Sequence, residues 1–515
     1  MARVAALRLR HLTTNLLPTT TRRFFFSSDA LPSLEPSPDA DMIAQILTND
    51  HNPFHPLESS LQLHGVVLTA PLLHQTLLRL RHNSKIALAL FNYSLSLPSS
   101  DPSAAAFNLL IDITSKVRQF DVAWQLVAEM DRRGVPPTTL TFSILVRRLV
   151  AAGLTRQAVR AFDDMAAFVP EPGDGGGDGP FVFLLDTLCK YGHVRVAVEL
   201  YNKRKGRYRP CVRMYTVLIY GWSKIGRVDM AERFLREMIE RGIEPNVVTY
   251  NVLLNGICRR AKLHPDGRFE RVIRNAEMVF DEMCMRGVEP DVTSFSIILH
   301  VYGRAHKPDL TLEKLRLMKE KGISPNVVTY STVIKCLSSC GRMKEAEELL
   351  EEMARNGVYP NAATFNCFFK EYKGRKDAEV AMKLYRRMRD DGFCVPSVHT
   401  YNILLGMFLK WSRFDLVNEI WDDLKVSGLG PDLDSYTLVV HSLCEKQKWK
   451  EACQLFVEMI EKGLLPQKVT FETLYSGLIQ SDMLRTWRRL KKRLDEEAIL
   501  FGTEFQNYPL KPYRR

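Results

Sequence analysis

The sequence lacks the long apolar segment, about 20 residues, that a membrane-spanning helix needs. It also lacks a Gly-x-x-x-x-Gly-Lys phosphate-binding loop, and no catalytic constellation of side chains stands out. We therefore expect a protein that is not an enzyme and has no cofactor, no metal site, no membrane partner and no small-molecule substrate.

The cysteines show no disulfide framework, although the chain has ten of them. Cys189, Cys258 and Cys444 share the twelfth position of a repeating unit, which predicts small buried helix residues. Cys336 and Cys340 are four residues apart, but no second pair of Cys or His accompanies them, which argues against a zinc site. This usage fits a reducing compartment.

Positive charge is less informative than its total suggests. The formal net charge is +12, but residues 1–28 hold five Arg and no acid, and residues 481–515 hold nine Lys or Arg against five acids. The 57 basic and 54 acidic residues between them give the body a net charge of only +3. Bulk charge therefore does not show that the body binds nucleic acid, but it leaves room for a locally basic surface.

Acidic residues are absent from positions 1–28, where the Arg residues lie among Leu, Ala, Ser and Thr. A basic, hydroxyl-bearing and acid-free leader is typical of an organellar transit peptide. The Arg density and the Arg-Phe-Phe-Phe-Ser-Ser run at 23–28 favour the mitochondrion over the plastid, with a basic tail as the weaker alternative. Residues 29–68 are predicted to be a linker, because positions 29–60 are rich in Pro, Ser and Asp.

The sequence does contain a phrase that returns about every 35 residues. It reads Glu-Pro-Asn-Val-Val-Thr-Tyr-Asn at 244–251, Glu-Pro-Asp-Val-Thr-Ser-Phe-Ser at 289–296 and Ser-Pro-Asn-Val-Val-Thr-Tyr-Ser at 324–331. A fixed repeat of this length predicts a solenoid, in which each unit packs only on its neighbours and function lies on a long surface. With Val247 as position 1, units begin at Ala104, Thr139, Asp178, Val212, Val247, Val292, Val327, Ala362, Val398 and Leu433, with a degenerate unit near 69–103 and a partial one from Lys468.

Recurring residues predict how each unit folds. Position 20 is Ala in eight units, where a small side chain lets two helices approach closely. Position 27 is Met in eight units, which predicts core filling rather than a cofactor site. A Gly and then a Pro follow, and both stop a helix. Each unit therefore contains two helices, and the predicted fold is all-α: a superhelical solenoid of stacked helix–turn–helix repeats.

These residues resemble the pentatricopeptide repeat (PPR) family. Its units open with Val-Val-Thr-Tyr-Asn-Thr-Leu-Ile and close with Met-x-x-x-Gly-x-x-Pro-Asp, which Val247–Leu254 and Met318–Asn326 match closely. The resemblance covers residues 69–500. The tetratricopeptide repeat is disfavoured because its Trp-x-x-Leu-Gly-x-x-Tyr pattern is absent from the sequence. The nearly uniform spacing resembles the P subclass of plant organellar PPR proteins, which acts mainly by binding.

The resemblance implies sequence-specific binding of single-stranded RNA, with one base for each repeat. In the family, the fifth residue of a unit and its last residue meet the edge of a base, and the protein runs parallel to the RNA. Position 2, here Val248 and Val328, packs on base faces.

Carrying the family's pairs over to this sequence predicts a short RNA. Thr or Ser with Asn resembles an adenine reader, Asn with Asp a uracil reader, and Asn with Ser suggests cytosine. The predicted RNA-binding residues form pairs of a fifth and a last residue: Asn108 with Thr138, Thr216 with Asn246, Asn251 with Asp291, Ser296 with Asn326, Ser331 with Asn361, Asn366 with Ser397, Asn402 with Asp432, and Thr437 with Gln467. The six pairs from Thr216 to Asp432 predict 5′-AUAACU-3′, while the first pair suggests a pyrimidine and the last a purine.

Fifth-position residues also have a purely structural interpretation, because Asn, Ser and Thr near a helix start can act as caps. Their recurrence, together with a varying polar residue at the unit end, favours RNA recognition. The early units are less readable. Val182 with Cys211 fits no pair, and the glycine run at 173–177 leaves the partner of Ser143 open.

The array is predicted to cover residues 69–480 in about 11 units, followed by a C-terminal capping helix and tail at 481–515. Some PPR proteins carry a C-terminal zinc deaminase, but no Cys or His follows Cys453, so none is expected. The basic residues between Arg485 and Arg493 could contact RNA phosphates, although a solvated face of the capping helix is slightly favoured.

The sequence therefore predicts a mitochondrial single-stranded RNA-binding protein that acts in organellar RNA processing. Intron splicing, transcript stabilisation and end maturation stay open as roles, and other RNA-processing factors are possible further partners. The alternative is a helical-repeat scaffold that binds a peptide or helix on its concave face.

Overall fold

The computed structural model describes residues 37–50, 68–97, 102–168, 178–260, 269–390 and 394–500. Within these ranges every regular element is helical: there are 25 α-helices and one π-helical turn, Ile46–Asp50. The predicted transit peptide at 1–28 and the glycine run at 173–177 lie outside the described residues.

Two compact units divide the chain, Met1–Ala197 and Val198–Arg515. The first contains α1 Pro38–Gln45, α2 Ala70–Arg79, α3 Ser84–Ser96, α4 Ala104–Lys116, α5 Phe120–Arg132, α6 Thr139–Ala151, α7 Thr155–Phe168 and α8 Asp178–Lys190. Helix α9, Val194–Arg204, begins in the first unit and ends in the second.

The second unit contains the remaining described helices. These are α10 Val212–Lys224, α11 Val228–Glu240, α12 Val247–Arg260, α13 Phe269–Met285, α14 Val292–Arg304, α15 Pro308–Glu320, α16 Val327–Ser339, α17 Met343–Arg355, α18 Ala362–Arg375, α19 Ala378–Asp390, α20 Val398–Lys410, α21 Phe414–Val426, α22 Leu433–Glu445, α23 Trp449–Glu461, α24 Lys468–Gln480 and α25 Leu484–Leu500.

Each repeat is a pair of helices, and the first helix begins at position 1 of the repeat. This holds for eleven repeats, from Ala104 in α4 to Lys468 in α24. Among the described residues, the first helix contacts its own second helix in ten of these repeats, and within the second unit it also contacts the first helix of the next repeat, from α10 against α12 to α22 against α24. The predicted fold class, an all-α solenoid of stacked helix–turn–helix repeats, is confirmed.

The core is built from the positions that recur in sequence. All eight Ala at position 20 and seven of the eight Met at position 27 are fully buried, and Met165 is partly buried against the same core. The Met residues therefore fill the core, as predicted. Cys189, Cys258 and Cys444 are buried within helices, which confirms their prediction.

An aromatic residue at position 4 attaches each first helix to the core. It is buried in all eleven repeats: Phe107, Phe142, Phe181, Tyr215, Tyr250, Phe295, Tyr330, Phe365, Tyr401, Tyr436 and Phe471. In several repeats the Tyr hydroxyl donates to a Glu on the second helix of the same repeat, as Tyr330 does to Glu352 at 2.8 Å and Tyr436 does to Glu458 at 3.0 Å. This bond fixes the two helices against each other without leaving the hydroxyl unpaired.

Glycine ends the second helices as predicted. Gly322 and Gly357 have φ of +71° and +72°, a left-handed conformation that other residues adopt at a cost.

The segment predicted as a linker contains α1, which packs on α2. Its Ile43, and Leu47 of the π-helical turn that follows, belong to the core cluster of the first unit. The boundaries of leader, linker, array and tail stay predictions. In the part of the chain that the structure describes, no helix has both the length and the apolar character that crossing a bilayer requires.

Gly256 marks the closest approach of two first helices, and we expect Gly256→Ala to destabilise the fold. A Cβ at Gly256 of α12 would lie 2.5 Å from Cβ and 3.2 Å from Cα of Ser223 in α10, so the two helices would have to separate. Overpacking of this kind costs about 1–3 kcal/mol, which should lower the melting temperature in a circular-dichroism scan.

Gly303→Ala is the matched control, because a Cβ there would meet its nearest neighbour, Cys336 Cβ, at 3.6 Å. This change should leave the melting temperature unchanged or raise it, since Ala favours a helix over Gly by about 1 kcal/mol. Equal destabilisation by both changes would contradict the close approach.

Candidate nucleic-acid interface

The last residue of each repeat is the N-cap of the next first helix. The Asp291 side chain accepts the backbone N–H of Ser294 at 2.8 Å, and the Asn326 side chain accepts that of Thr329 at 2.9 Å. The same bond is made by Ser103, Asn246, Asn361, Ser397 and Asp432. A polar unit-end residue is therefore explained by capping alone, before any ligand is considered.

Capping uses one side-chain atom and leaves another facing outward. In Asn246, Asn326 and Asn361 the oxygen Oδ1 makes the cap, so Nδ2, a donor, remains. In Asp291 and Asp432 Oδ1 makes the cap, so Oδ2, an acceptor, remains. All five residues are exposed. The exposed rim of the second unit therefore presents a donor at Asn246, Asn326 and Asn361 and an acceptor at Asp291 and Asp432.

The fifth-position residues are not caps, because they lie inside the first helix. Most are half-buried, and their side chains meet the third residue of the next repeat. Thr216 Oγ1 lies 2.8 Å from Thr249 Oγ1, and Ser331 Oγ lies 2.7 Å from Thr364 Oγ1. The contact between Ser296 and Thr329 is longer, at 3.3 Å. Each of these Thr hydroxyls also bonds the unit-end Asn, so the predicted pair is joined through it.

Two predicted pairs are joined directly. Asn251 Nδ2 donates to Asp291 Oδ1 at 3.0 Å, and Asn402 Nδ2 donates to Asp432 Oδ1 at 3.3 Å. The pairs therefore form across 40 and 30 residues of sequence, because successive first helices stack.

The other three predicted pairs are not joined in this way. The amide oxygens of Asn108 and Asn366 are buried without a hydrogen-bond partner among the described residues, and so is the Thr437 hydroxyl. The unit-end residues Thr138, Ser397 and Gln467 start the next helices, but no hydrogen bond between the described atoms links them to their partners.

The two unit-end carboxylates remain ionised at neutral pH. Burial by itself would raise the pKa of Asp291, but hydrogen bonds from the Ser294 backbone and the Asn251 amide outweigh it and hold the pKa below its usual range. For Asp432, hydrogen bonds from Ser435 and Asn402 likewise overcome burial and lower the pKa. Both carboxylates are therefore acceptors only.

Position 2 presents apolar side chains to solvent beside the polar pairs. Val248 is 47% exposed and Val328 62% exposed, which is unusual for residues that large on a packed helix. Position 2 lies three residues before position 5, so both occupy the same helix face. The outward face thus combines an apolar surface with a polar pair in each of these repeats.

A row of basic side chains accompanies the predicted pairs. The net charge of the whole body does not reveal this row. Residues 5, 9 and 13 of a first helix are spaced by four and share one face. Six successive repeats carry one Lys or Arg at position 9 or 13: Lys224, Arg259, Arg304, Lys335, Lys370 and Lys410. Five are exposed and Arg304 is half-buried. A count by repeat position, rather than by segment, would have found this row.

No group of three or more His, Cys, Asp or Glu side chains in the described ranges is arranged to hold a metal ion. Cys336 and Cys340 therefore lack the further ligands that a zinc site needs.

Family models match most of the array. The model of the PPR repeat family matches residues 102–151, 210–259, 325–374, 396–445 and 431–480. The model of the pentatricopeptide repeat domain matches residues 278–343.

Close relatives cover nearly the whole chain. It is 64% identical over 485 residues to a mitochondrial pentatricopeptide repeat-containing protein of Arabidopsis thaliana, covering 94% of each protein. A second pentatricopeptide repeat-containing protein of that plant is 36% identical over 456 residues, covering 86% of this chain and 88% of the relative. The predicted mitochondrial location is confirmed by the first relative, whose name assigns it there.

Solved structures are more distant. The crystal structure of the pentatricopeptide repeat protein PPR10 from maize is 20% identical, covers 90% of this chain and 74% of its own, and has a TM-score of 0.36. Yeast Rmd9p in complex with a 16-nucleotide target RNA is 11% identical, covers 76% of this chain and 97% of its own, and has a TM-score of 0.42.

Since Asp291 caps α14, we expect Asp291→Ala to destabilise the protein while Asp291→Asn does not. Loss of a cap costs about 0.5–2 kcal/mol, and Asn caps as well as Asp. Because the pKa of Asp291 is lowered on folding, its carboxylate stabilises the fold above the ordinary Asp pKa, and this contribution is lost as the pH falls through the lowered value.

Chemical denaturation at neutral pH and near pH 3 would measure both effects. Asp291→Asn should show less acid sensitivity than the natural chain, since it keeps the cap without the titrating group. Equal stability of the Ala and Asn variants at neutral pH would contradict the capping role.

Proposed function

The chain belongs to the pentatricopeptide repeat family, and from this premise we propose that it binds single-stranded RNA in mitochondria, one base for each repeat. The observation that carries the proposal is the rim of paired polar side chains, whose outward atom is a donor in some repeats and an acceptor in others. Structural capping needs a polar residue at the unit end but does not need this variation, because Asn, Asp and Ser cap almost equally well.

The outward atom of the unit-end residue supports a choice between two classes of base. The Asn Nδ2 donor suits a base with an acceptor at the centre of its pairing edge, as adenine and cytosine have. The Asp Oδ2 acceptor suits uracil or guanine, which have an N–H there. A wrong base would place two donors or two acceptors face to face, which leaves a desolvated polar group unpaired.

The fifth residue supports a choice of base size. Thr216, Ser296 and Ser331 are short and leave room for a purine, whereas Asn251 and Asn402 reach further and leave room for a pyrimidine. Together, the two choices support adenine at the Thr/Ser–Asn pairs and uracil at the Asn–Asp pairs. The proposed core is therefore 5′-AUAACU-3′, with cytosine at Asn366–Ser397 as the step with least support, because this pair is not joined.

The remaining surface suits the rest of a nucleotide. Exposed valines at position 2 offer an apolar surface for base faces, and the row of cations offers partners for successive phosphates. Since the row advances by one cation per repeat, its spacing follows that of the polar pairs.

The proposed biological role is to cover a segment of RNA. A protein of the P subclass with an array at 69–480 would cover a single-stranded segment and so protect a transcript end, expose a processing site or assist intron splicing. Other RNA-processing factors would then act on the covered transcript.

The direct experiment measures binding of the full chain to RNAs that contain AUAACU or a scrambled order of the same bases, at fixed salt concentration. We expect clear preference for AUAACU. Equal affinity for the scrambled RNA would contradict sequence-specific recognition. If, instead, RNA were absent from cross-linked purifications while a stable protein partner was present, the scaffold alternative would stand.

The same experiment tests one pair with Asp291→Asn. Exchange of an acceptor for a donor should move the preference at the second nucleotide from uracil towards cytosine, by about tenfold in relative affinity. Asp281→Asn is the control, because it makes the same charge change on α13, a second helix. A shift in both variants would point to charge rather than base reading.

Lys410→Ala should weaken binding to every RNA alike and make the dependence of log affinity on log salt less steep by about 0.7, the loss of one phosphate contact with a single strand. Lys450→Ala removes an equally exposed charge from second helix α23 and should change neither quantity. Loss of base preference in Lys410→Ala would contradict a phosphate contact.

A further inference from the structure

Four repeats carry Asn at position 5, and the structure separates them into two kinds. Asn251 and Asn402 are half-buried, and in each the amide oxygen and one amide N–H make a hydrogen bond. Asn108 and Asn366 are only 7% exposed, yet their amide oxygens have no hydrogen-bond partner among the described residues. The two kinds differ in the unit-end residue of the pair and in the third residue of the next repeat.

Where the third residue of the next repeat is Ser, its hydroxyl bonds the amide oxygen of the Asn. Ser294 Oγ donates to Asn251 Oδ1 at 2.6 Å, and Ser435 Oγ donates to Asn402 Oδ1 at 2.6 Å. Both serines are fully buried, so their hydroxyls have no solvent to turn to. The two sites lie four repeats apart and make the same set of hydrogen bonds.

Where the third residue is Thr, the hydroxyl is engaged elsewhere. Thr400 Oγ1 lies 3.0 Å from Ser397 Oγ, and Thr141 Oγ1 lies 3.4 Å from Thr138 Oγ1. Each bond joins the hydroxyl to the unit-end residue, and neither hydroxyl donates to the Asn of the preceding repeat. Ser294 and Ser435 also bond the unit-end residue, at 2.9 and 2.7 Å from the Asp Oδ1, but they contact the Asn amide oxygen as well.

The direction of the bonds in the Ser sites follows from the chemistry of each group. The Asp carboxylate accepts only, so it must face the amide N–H of Asn, as in the 3.0 Å contact between Asn251 Nδ2 and Asp291 Oδ1. The Ser hydroxyl then donates to the opposite end of the amide. A flipped amide would set its oxygen against the carboxylate and its N–H groups against the hydroxyl, which would then have only the Asp Oδ1 as an acceptor, so the chain Ser–Asn–Asp favours one orientation.

We propose that Ser294 and Ser435 are positioning residues for base recognition: each fixes the amide orientation of the fifth-position Asn of the preceding repeat, so that its second N–H is presented to the base. The inference rests on the proposed function, since it concerns how the Asn–Asp pairs read uracil. Each reading site then has three members, two from one repeat and one buried in the next.

A consequence distinguishes the two kinds of repeat. Asn251 and Asn402 present a fixed donor and should separate uracil from cytosine sharply. Asn108 and Asn366 can present either end of the amide and should accept both pyrimidines.

The test measures uracil-over-cytosine preference at the second nucleotide of AUAACU with the full chain and with Ser294→Ala. The cap of α14 survives this change, because Asp291 still accepts the Ser294 backbone N–H. We expect the preference to fall by about three- to tenfold, the value of one net hydrogen bond, with a smaller loss of affinity for the uracil RNA.

Thr311→Ala is the control, since it removes a fully buried hydroxyl from second helix α15, where Thr311 Oγ1 donates to the Lys307 carbonyl at 2.7 Å. Its uracil preference at the second nucleotide should not change. A merely structural role for Ser294 would lower affinity for uracil and cytosine RNAs equally, and that result would overturn the proposal.

A second test introduces a uracil preference at another repeat. Its result therefore does not depend on a variant that has lost a contact. Ser397→Asp alone supplies the carboxylate beside Asn366, and Ser397→Asp with Thr400→Ser supplies the donor as well. We expect uracil preference at the fifth nucleotide to be several-fold greater in the double variant, and equal preference in the two would overturn the proposal.

The outcomes separate the two levels of inference. If the natural chain prefers uracil at the second nucleotide but Ser294→Ala keeps that preference undiminished, positioning fails and RNA reading stands. If the natural chain shows no preference between uracil and cytosine there, both fail.

Discussion

The hydrogen bond between the last side chain of one repeat and the third backbone N–H of the next is the interaction on which the structure depends. It fixes the start of the first helices whose unit-end side chain makes this bond, as at Val292 after Asp291 and Val327 after Asn326. With the start fixed, position 4 falls in the core, position 5 falls against the next repeat and position 2 falls in solvent. One local bond therefore sets the register of the entire surface.

The same bond explains how repeats with one fold can end in different polar residues. Asn, Asp and Ser are nearly equivalent as caps, so the unit-end residue can differ between repeats at little cost to the helix. They differ in the atom that remains free: an amide donor, a carboxylate acceptor or a hydroxyl that can do either. Stability and recognition thus use different atoms of one side chain, and neither restricts the other.

The local distribution of charge likewise differs from what the net charge suggests. The body between residues 28 and 481 has almost balanced charge, and many acids pair with bases on the second helices, as Arg386 does with Glu419 at 3.0 Å. The cations on the first helices, such as Lys335 and Lys370, are exposed and advance with the repeats. A nearly neutral body therefore holds one basic face, which suits a polyanion laid along the array.

The sequence by itself determined the repeat length, the start of each first helix and the buried stripes of Ala and Met, because these follow from local caps, helix stops and period. It also placed the candidate reading pairs, since each is defined by position in the repeat. Only the tertiary structure decided which atoms of a pair stay free, that Ser294 reaches Asn251 across 43 residues, and that Asn366 has no such partner. The physical reason is that these bonds cross from one stacked repeat to the next. Their lengths depend on how the helices pack, and no spacing along the chain expresses that.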